Sequence, residues 1–276
     1  MKTLVPPIKI QWIKTKLVPW IFEKIWTIES KVWIEPFMWS GVVGFNLAWK
    51  NAIFGDTNPH IINFYNAIKD SKINKGIART YLENEGKKLS LWWVDYYKEV
   101  RARFNELHNP LDFLFLNRSC FNGIIRFNGK WWFNVPFGHK PDRFAKSYVT
   151  KIVNQVGWVE EKIQNSNWEF RLGNFSEIIK LANQDDIIYC DPPYIARHSD
   201  YFNKWNEEDE YALKSSLNNS WSQYMVSSWM GNKYRKNEFI ESVWWDCHKI
   251  TKEHFYHVWA KEANRSSMEE VLLSNF

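Results

Sequence analysis

Two stretches at opposite ends of the chain alternate between β-rich apolar runs and helically spaced segments, and this alternation restricts the fold more than any other feature. From Lys31 to Lys69 the order is strand, loop, helix, strand, loop, helix. "KVWIEPF" is β-rich and apolar, and "GVVGFNLAWK" has helical spacing. "NAIFGD" is a short buried strand, and "NPHIINFYNAIK" is amphipathic with a proline near its start. After a helix around Ala145 to Asn165 the pattern resumes with "WEFRLGNF", "SEIIKLAN", "DIIYCDPPY", "EYALKSSLNN", "YMVSSW", "NEFIESVW" and "EEVLLSNF". Such alternation predicts a parallel sheet with crossover helices. Between the two ends, Asp70 to Leu107 is helical and charged. "NRSCFNGIIRFNGKWWFNVPFGHKPDRF" then carries Asn-Gly pairs at 122–123 and 128–129 between β-like runs, which predicts hairpins. The expected architecture is one α/β sheet built from residues 1–69 and 150–276, with a helical and hairpin module at 70–149 inserted between them.

A chain of 276 residues is long enough for that arrangement, and its net charge of +5 suits a nucleic-acid partner as well as a plain soluble enzyme. Cys120, Cys190 and Cys247 lie far apart without a CxxC pair, so a reducing cytoplasm is expected, with no metal site and no disulfide framework. "MKTLVPPIKIQWIK" is broken by prolines and lysines and reads as no signal peptide. No apolar run reaches the roughly 18 residues of a membrane span. One balance is abnormal: 18 tryptophans stand beside 11 glycines. Trp39 after "PFM", Trp131-Trp132 after "NGK" and Trp12 before "IK" fall where the chain wants a turn. Either the protein is simply rich in aromatics, or some glycines have been replaced. The second case matters chemically, because glycine reaches backbone angles and close approaches that no side chain permits.

Asp191-Pro192-Pro193-Tyr194 closes the apolar run "DIIYC". At the carboxyl end of a parallel strand, this is where ligands bind in open α/β sheets. Two prolines fix φ and remove two N–H groups, leaving a backbone that accepts hydrogen bonds without donating them. A carboxylate and a rigid carbonyl form an acceptor-only corner for an –NH2 group, and Tyr194 offers a π-face beside it. The matching substrate is a planar base with an exocyclic amine. Its nitrogen is a poor nucleophile, because the lone pair is delocalised into the ring. Acceptors on both hydrogens localise that pair and open it to a sulfonium methyl. A base inside a duplex reaches such a pocket only when flipped out.

With these residues in view, the chain resembles the Dam-type (D12 class) site-specific DNA adenine N6-methyltransferases over nearly its whole length. "EPFMWSGVVGFNL" resembles the family's E-P-F-x-G-x-G-x-x-x-x-x-L loop for S-adenosylmethionine, and "GDTNPHIINFYNAIK" its D-x-N-x-x-L-I-x-x-Y-x-x-I block. "CFNGIIRFNGKWWFNVPFG" resembles the recognition hairpin, and "EEVLLSNF" the closing strand. The resemblance implies a Rossmann-like S-adenosylmethionine-dependent methyltransferase sheet with an inserted target-recognition module. It makes Asp191, Pro192, Pro193 and Tyr194 the catalytic residues, with Tyr194 stacking the flipped adenine. It gives cofactor positions at Ile10, Lys14, Glu35, Phe37, Trp39, Gly41, Asp56, Asn174, Phe175 and Asp191, with Asp56 taking the ribose hydroxyls. DNA positions fall at Lys9, Phe121, Asn122, Arg126 and Pro136. Lys9 and Arg126 match guanine and phosphate contacts, which suggests a GATC-like site in double-stranded DNA.

The chain departs from the family pattern at several points. Trp39 stands for the first loop glycine, where an indole should collide with the methionine half of the cofactor. Trp12 replaces a glycine before Lys14, Ile10 an aromatic, Asn174 an acid, and Trp132 the hairpin's glycine. Two function classes therefore stand open. One is an active DNA methyltransferase of the bacterial or phage cytoplasm, working at the nucleoid alone or beside a cognate restriction endonuclease. The other is a DNA-binding homologue that has lost its cofactor through Trp39. A third group, methylation of cytosine, RNA adenine or a protein glutamine amide, is weaker, because the glutamine-modifying relatives carry Asn at position 191 and lack the hairpin.

Overall fold

The structure, a computed structural model, describes residues 2–195, 205–232, 235–254 and 268–276. Seven strands form its sheet: β1 (Trp33–Glu35), β2 (Asn51–Asp56), β3 (Asn167–Leu172), β4 (Ile187–Cys190), β5 (Gln223–Asn232), β6 (His248–His254) and β7 (Met268–Ser274). Their spatial order is β3-β2-β1-β4-β5-β7-β6. The first five pair in parallel, while β7 runs antiparallel between β5 and β6. From β1 the chain winds outward through β2 to β3, then returns to β4 on the other side. The sheet is therefore the expected Rossmann-like α/β arrangement. Its switch point lies between β1 and β4, where the loops leaving the two strands diverge and open a crevice.

Helices cover both faces. In chain order they are α1 (Val18–Ile25), α2 (Gly44–Leu47), α3 (Pro59–Lys69), α4 (Lys75–Leu107), α5 (Pro110–Ser119), α6 (Lys146–Gln164), α7 (Phe175–Ile179), α8 (Glu207–Ser220) and α9 (Phe239–Ser242). Neighbouring residues of a strand point to opposite faces. Trp33 accordingly joins Phe45, Phe54 and Trp168 in one core, while Ile34 joins Ile188, Leu213 and Trp244 in the other. Each such fully buried side chain contributes roughly 1.5–3 kcal/mol. The ends of α3 follow local rules: Pro59 opens the helix, and the Asn58 side chain accepts from the backbone N–H groups of His60 and Ile61. No helix of the described residues is long and apolar enough to cross a membrane.

Three expectations change. The helix expected over "GVVGFNLAWK" shrinks to four residues, because Ala48 is already extended. The charged helix α4 is broken at Trp93, whose φ of 49° and ψ of −122° are not helical. The hairpins are not ladders: only the single bridges Cys120↔Phe137 and Phe127↔Phe133 form, and Phe121–Gly123 is a 3-10 turn. The backbone of this segment bonds to α4 instead. Asn105 receives the N–H of Phe133 and donates to its carbonyl, and the Tyr97 hydroxyl donates to the carbonyl of Val135. Polar groups satisfied by a helix leave fewer for a strand partner.

Candidate active site

Because β1, β2 and β4 are parallel, their carboxyl ends open on one side of the sheet and bring distant parts of the chain together. β1 delivers Glu35 and the 36–41 loop, β2 delivers Asp56, and β4 delivers Asp191 to Tyr194. The N-terminal arm adds Lys14, and β7 adds Glu270, a residue that sequence reasoning did not single out. Lys14 is buried at the centre of this group. Its Nζ lies 3.4 Å from Asp191 Oδ1 and 3.1 Å from Glu270 Oε2, donates to the Tyr194 hydroxyl, and sits 4.5 Å from the centroid of that ring. The Tyr194 hydroxyl in turn donates to Glu270 Oε2 at 2.5 Å. The Glu270 side chain is wholly buried, and among the described residues its Oε1 has no hydrogen-bond partner.

Electrostatics at this corner follow from burial. The Asp191 carboxyl is pushed up to about 6, chiefly by desolvation and further by the charge of Glu270, with Lys14 pulling it back. The other two acids of the crevice are also buried. Glu35 is raised to about 8 by desolvation, although its Oε2 accepts from the indole N–H of Trp33 at 3.0 Å. Asp56 is raised to about 6 by desolvation, and its two oxygens accept from the backbone N–H groups of Trp39 and Asn58 at 3.0 and 2.8 Å. Asp56 does not cap α3; Asn58 does.

The structure also gathers the predicted aromatic positions. Phe37 stacks on Phe175 with centroids 5.6 Å apart, and Trp205, which the sequence did not flag, meets both rings. Asn174 caps α7 in a reciprocal capping box with Glu177. Gly41 has a φ of 74°, and a Cβ there would lie 2.7 Å from the Phe45 ring. Ile10 packs against the large core. Trp39 combines a φ of 49° with a side chain that crosses the crevice: its indole N–H donates to the Asp191 carbonyl at 2.7 Å.

A second surface is built where the N-terminal arm meets the 120–138 segment. The backbone N–H of Lys9 donates to Asn117, whose amide donates back to the Lys9 carbonyl, both at 2.8 Å. The aliphatic stem of Lys9 lies against Gly123, where a Cβ would come within 2.4 Å of Lys9 Cδ. Burial lowers the pKa of Lys9, and Arg143 and Arg118 lower it further by repulsion. Phe121 is half exposed, and its N–H donates to the Pro136 carbonyl. Asn122 beside it has a φ of 53°. Arg126 bridges the two legs of the hairpin through Asn134. The glycine position of that hairpin is not 132, as the sequence suggested. Trp131 carries the φ of 59°, its N–H closing the turn on Asn128, whereas Trp132 is an exposed ring.

Residues 13–264 match the sequence profile of the D12 class N6 adenine-specific DNA methyltransferases. The chain belongs to that class. Among curated relatives it is 33% identical over 176 residues to the DNA adenine methylase of Vibrio cholerae, covering 60% of this chain and 57% of that protein. It is 27% identical over 273 residues to the Type II methyltransferase M.FokI of Planomicrobium okeanokoites, covering 95% and 40%. It is 33% identical over 169 residues to the DNA adenine methylase of Haemophilus influenzae, covering 58% and 54%. The chain thus spans about half the length of these relatives.

For a D12 class protein, the fit of a methyl-donor nucleoside can be tested on the crevice itself. Asp56, at the end of β2, and the paired rings of Phe37 and Phe175 suit an adenosine. Residue 39 does not suit what would adjoin it. The indole spans the crevice from the β1 loop to the Asp191 carbonyl.

Proposed function

We propose that the chain methylates the exocyclic amino nitrogen of an adenine flipped out of double-stranded DNA, at a GATC-like site, with S-adenosylmethionine as the donor. The observation that carries this reading is the Asp191 carboxylate at the switch point, beside a Tyr194 ring fastened through its hydroxyl to Glu270 and Lys14; the Pro192 carbonyl is the second acceptor in this reading. A fixed ring stacks a planar base. The two acceptors take its amine hydrogens, which localises the nitrogen lone pair and orients it for attack. Lys14 keeps Asp191 ionised in a dry site, so the corner accepts rather than donates. Pro193 holds the turn. The 70–149 module is the target reader in this proposal. Lys9, backed by Arg118 and Arg143, meets phosphate or guanine; Phe121, Asn122 and Pro136 shape the contact at the target base; and Arg126 reads guanine. Likeness to a Type II methyltransferase supports work beside a restriction endonuclease in a bacterial cytoplasm.

The test is formation of S-adenosylhomocysteine that depends on duplex DNA, with the methylated position read by sequencing of modified bases. An Asp191→Ala chain that kept the full rate would defeat the amine-corner mechanism. The bridge from the Trp39 indole to Asp191 favours one second reading: with tryptophan at 39, the chain binds DNA but not the cofactor. Salt-sensitive DNA binding with no calorimetric heat from S-adenosylmethionine is its signature.

A further inference from the structure

Among the described residues, nine that are not glycine have a left-handed φ, and five of these are tryptophans: Trp12 (60°), Trp39 (49°), Trp93 (49°), Trp131 (59°) and Trp221 (59°). The other four are Ser71, His108, Asn122 and His139; Asn and His are among the types most tolerant of this region. Bulky side chains are the least tolerant of it. Tryptophan makes up 18 of 276 residues yet fills more than half of these positions. Only two glycines, Gly41 and Gly123, share the conformation.

Each of the five sits where backbone geometry asks for glycine. Trp221 is the left-handed residue that terminates α8 and is 84% exposed, so packing does not account for it. Trp131 closes the Asn128 turn in the left-handed position of a bulged hairpin. Trp93, with φ 49° and ψ −122°, has the angles of the first central residue of a type II′ turn, and its ring is 57% exposed. Trp12 turns the N-terminal arm toward Lys14, and Trp39 turns the β1 loop so that its N–H reaches Asp56. A different population fills the core. Trp33, Trp168, Trp229 and Trp244 are almost wholly buried. Their indole N–H groups donate to Glu35, the Trp49 carbonyl, the Ile195 carbonyl and Glu210. These four bury the indole in the core; the other five hold a left-handed backbone that a bulky side chain opposes, and at Trp39 the indole also reaches across to the Asp191 carbonyl.

Five independent substitutions of glycine by the same bulky residue would each carry strain. A single cause covers all five. We propose that positions 12, 39, 93, 131 and 221 are glycine in the working protein, encoded by a codon that reads as tryptophan under one genetic code and as glycine in the source cell. At position 39 this has a chemical consequence, which rests on the proposed methyltransferase reading. Glycine removes the indole from the crevice, frees the Asp191 carbonyl and lets the loop backbone approach the donor closely.

Peptide mass mapping of the protein isolated from its source cell decides the assignment. The result expected is glycine at 39, 131 and 221 and tryptophan at 33, 168 and 244; tryptophan at 39 and 221 overturns it. The full chain produced in a standard host gives a second measure. The variant with all five positions changed to glycine should unfold at a higher urea midpoint than the tryptophan chain, while Trp168→Gly lowers the midpoint. A lower midpoint in the five-fold variant also overturns the proposal. Calorimetry with S-adenosylmethionine separates the two readings: heat from the five-fold variant alone supports both. A raised midpoint without heat upholds the glycine assignment and counts against the cofactor assignment.

Discussion

The two lips of the crevice differ in completeness. On the β4 side Lys14, Tyr194 and Glu270 fix one another, and Lys14 also pairs with Asp191. On the β1 side the acids and rings are in place, but one side chain lies across the opening. One half of a crevice can thus be fully fastened while a single bulky residue lies across the other half. The lesson is that reactive groups and the space between them are specified separately.

The sharpest way to break the comparison is at Asp191. In a chain carrying Trp39→Gly, Asp191→Ala should lower the single-turnover methylation rate at saturating S-adenosylmethionine by about 10³-fold, the scale for losing a fixed electrostatic contact in a dry site. The Trp39→Gly change alone should raise cofactor affinity by about 100-fold, since relieving about 3 kcal/mol of overpacking corresponds to that factor.

Acidity gives a third test. Asp191 is raised to about 6, so its carboxylate is lost as pH falls through that value, and the single-turnover rate should fall about tenfold per pH unit below it. The charge of Glu270 helps to raise Asp191, so Glu270→Gln should move this acidic limb to lower pH. The same change should also lower the rate about tenfold by loosening Tyr194, the scale of one charge-assisted hydrogen bond.

Stability offers a fourth. The folded state holds a proton on Glu35 up to about 8, whereas the unfolded chain releases it near 4.5, so stability should decline as pH rises between those values. Glu35→Gln should flatten that slope in urea titrations. The smallest effects concern the proposed reading surface: removing Lys9 should reduce the salt dependence of DNA binding by about one counterion, whereas removing Arg126 should relax sequence preference in binding to matched and mismatched duplexes.

Much of this could be read before the structure. Apolar runs bounded by turns gave the strands, and the phrase Asp191-Pro192-Pro193-Tyr194 marked the end of β4, where the structure gathers Lys14 and Glu270. Glu270 was missed because it lies 256 residues from its partner Lys14. One cue did exist: in "MEEVLLS", Glu269 is exposed but Glu270 is buried inside an otherwise apolar central strand, a place no acid occupies without a partner. The hairpins were overestimated because Asn-Gly pairs report local turn preference and are silent on whether a nearby helix will take the backbone hydrogen bonds. Position 131 was misread as 132 because two adjacent tryptophans look alike until their backbone angles are known. Trp205 was missed for a related reason: nothing in its neighbours signals that it will close a ring cluster with Phe37 and Phe175.

The insertion of β7 between β5 and β6 sets a timetable. Domains are generally built from their first residues onward as the ribosome works. The corner holding Lys14, Asp191 and Tyr194 must therefore wait, half-fastened, for the Glu270 carboxylate, which leaves the tunnel well after them. The growing polypeptide consequently lacks a completed corner until β7 slots between its two neighbours.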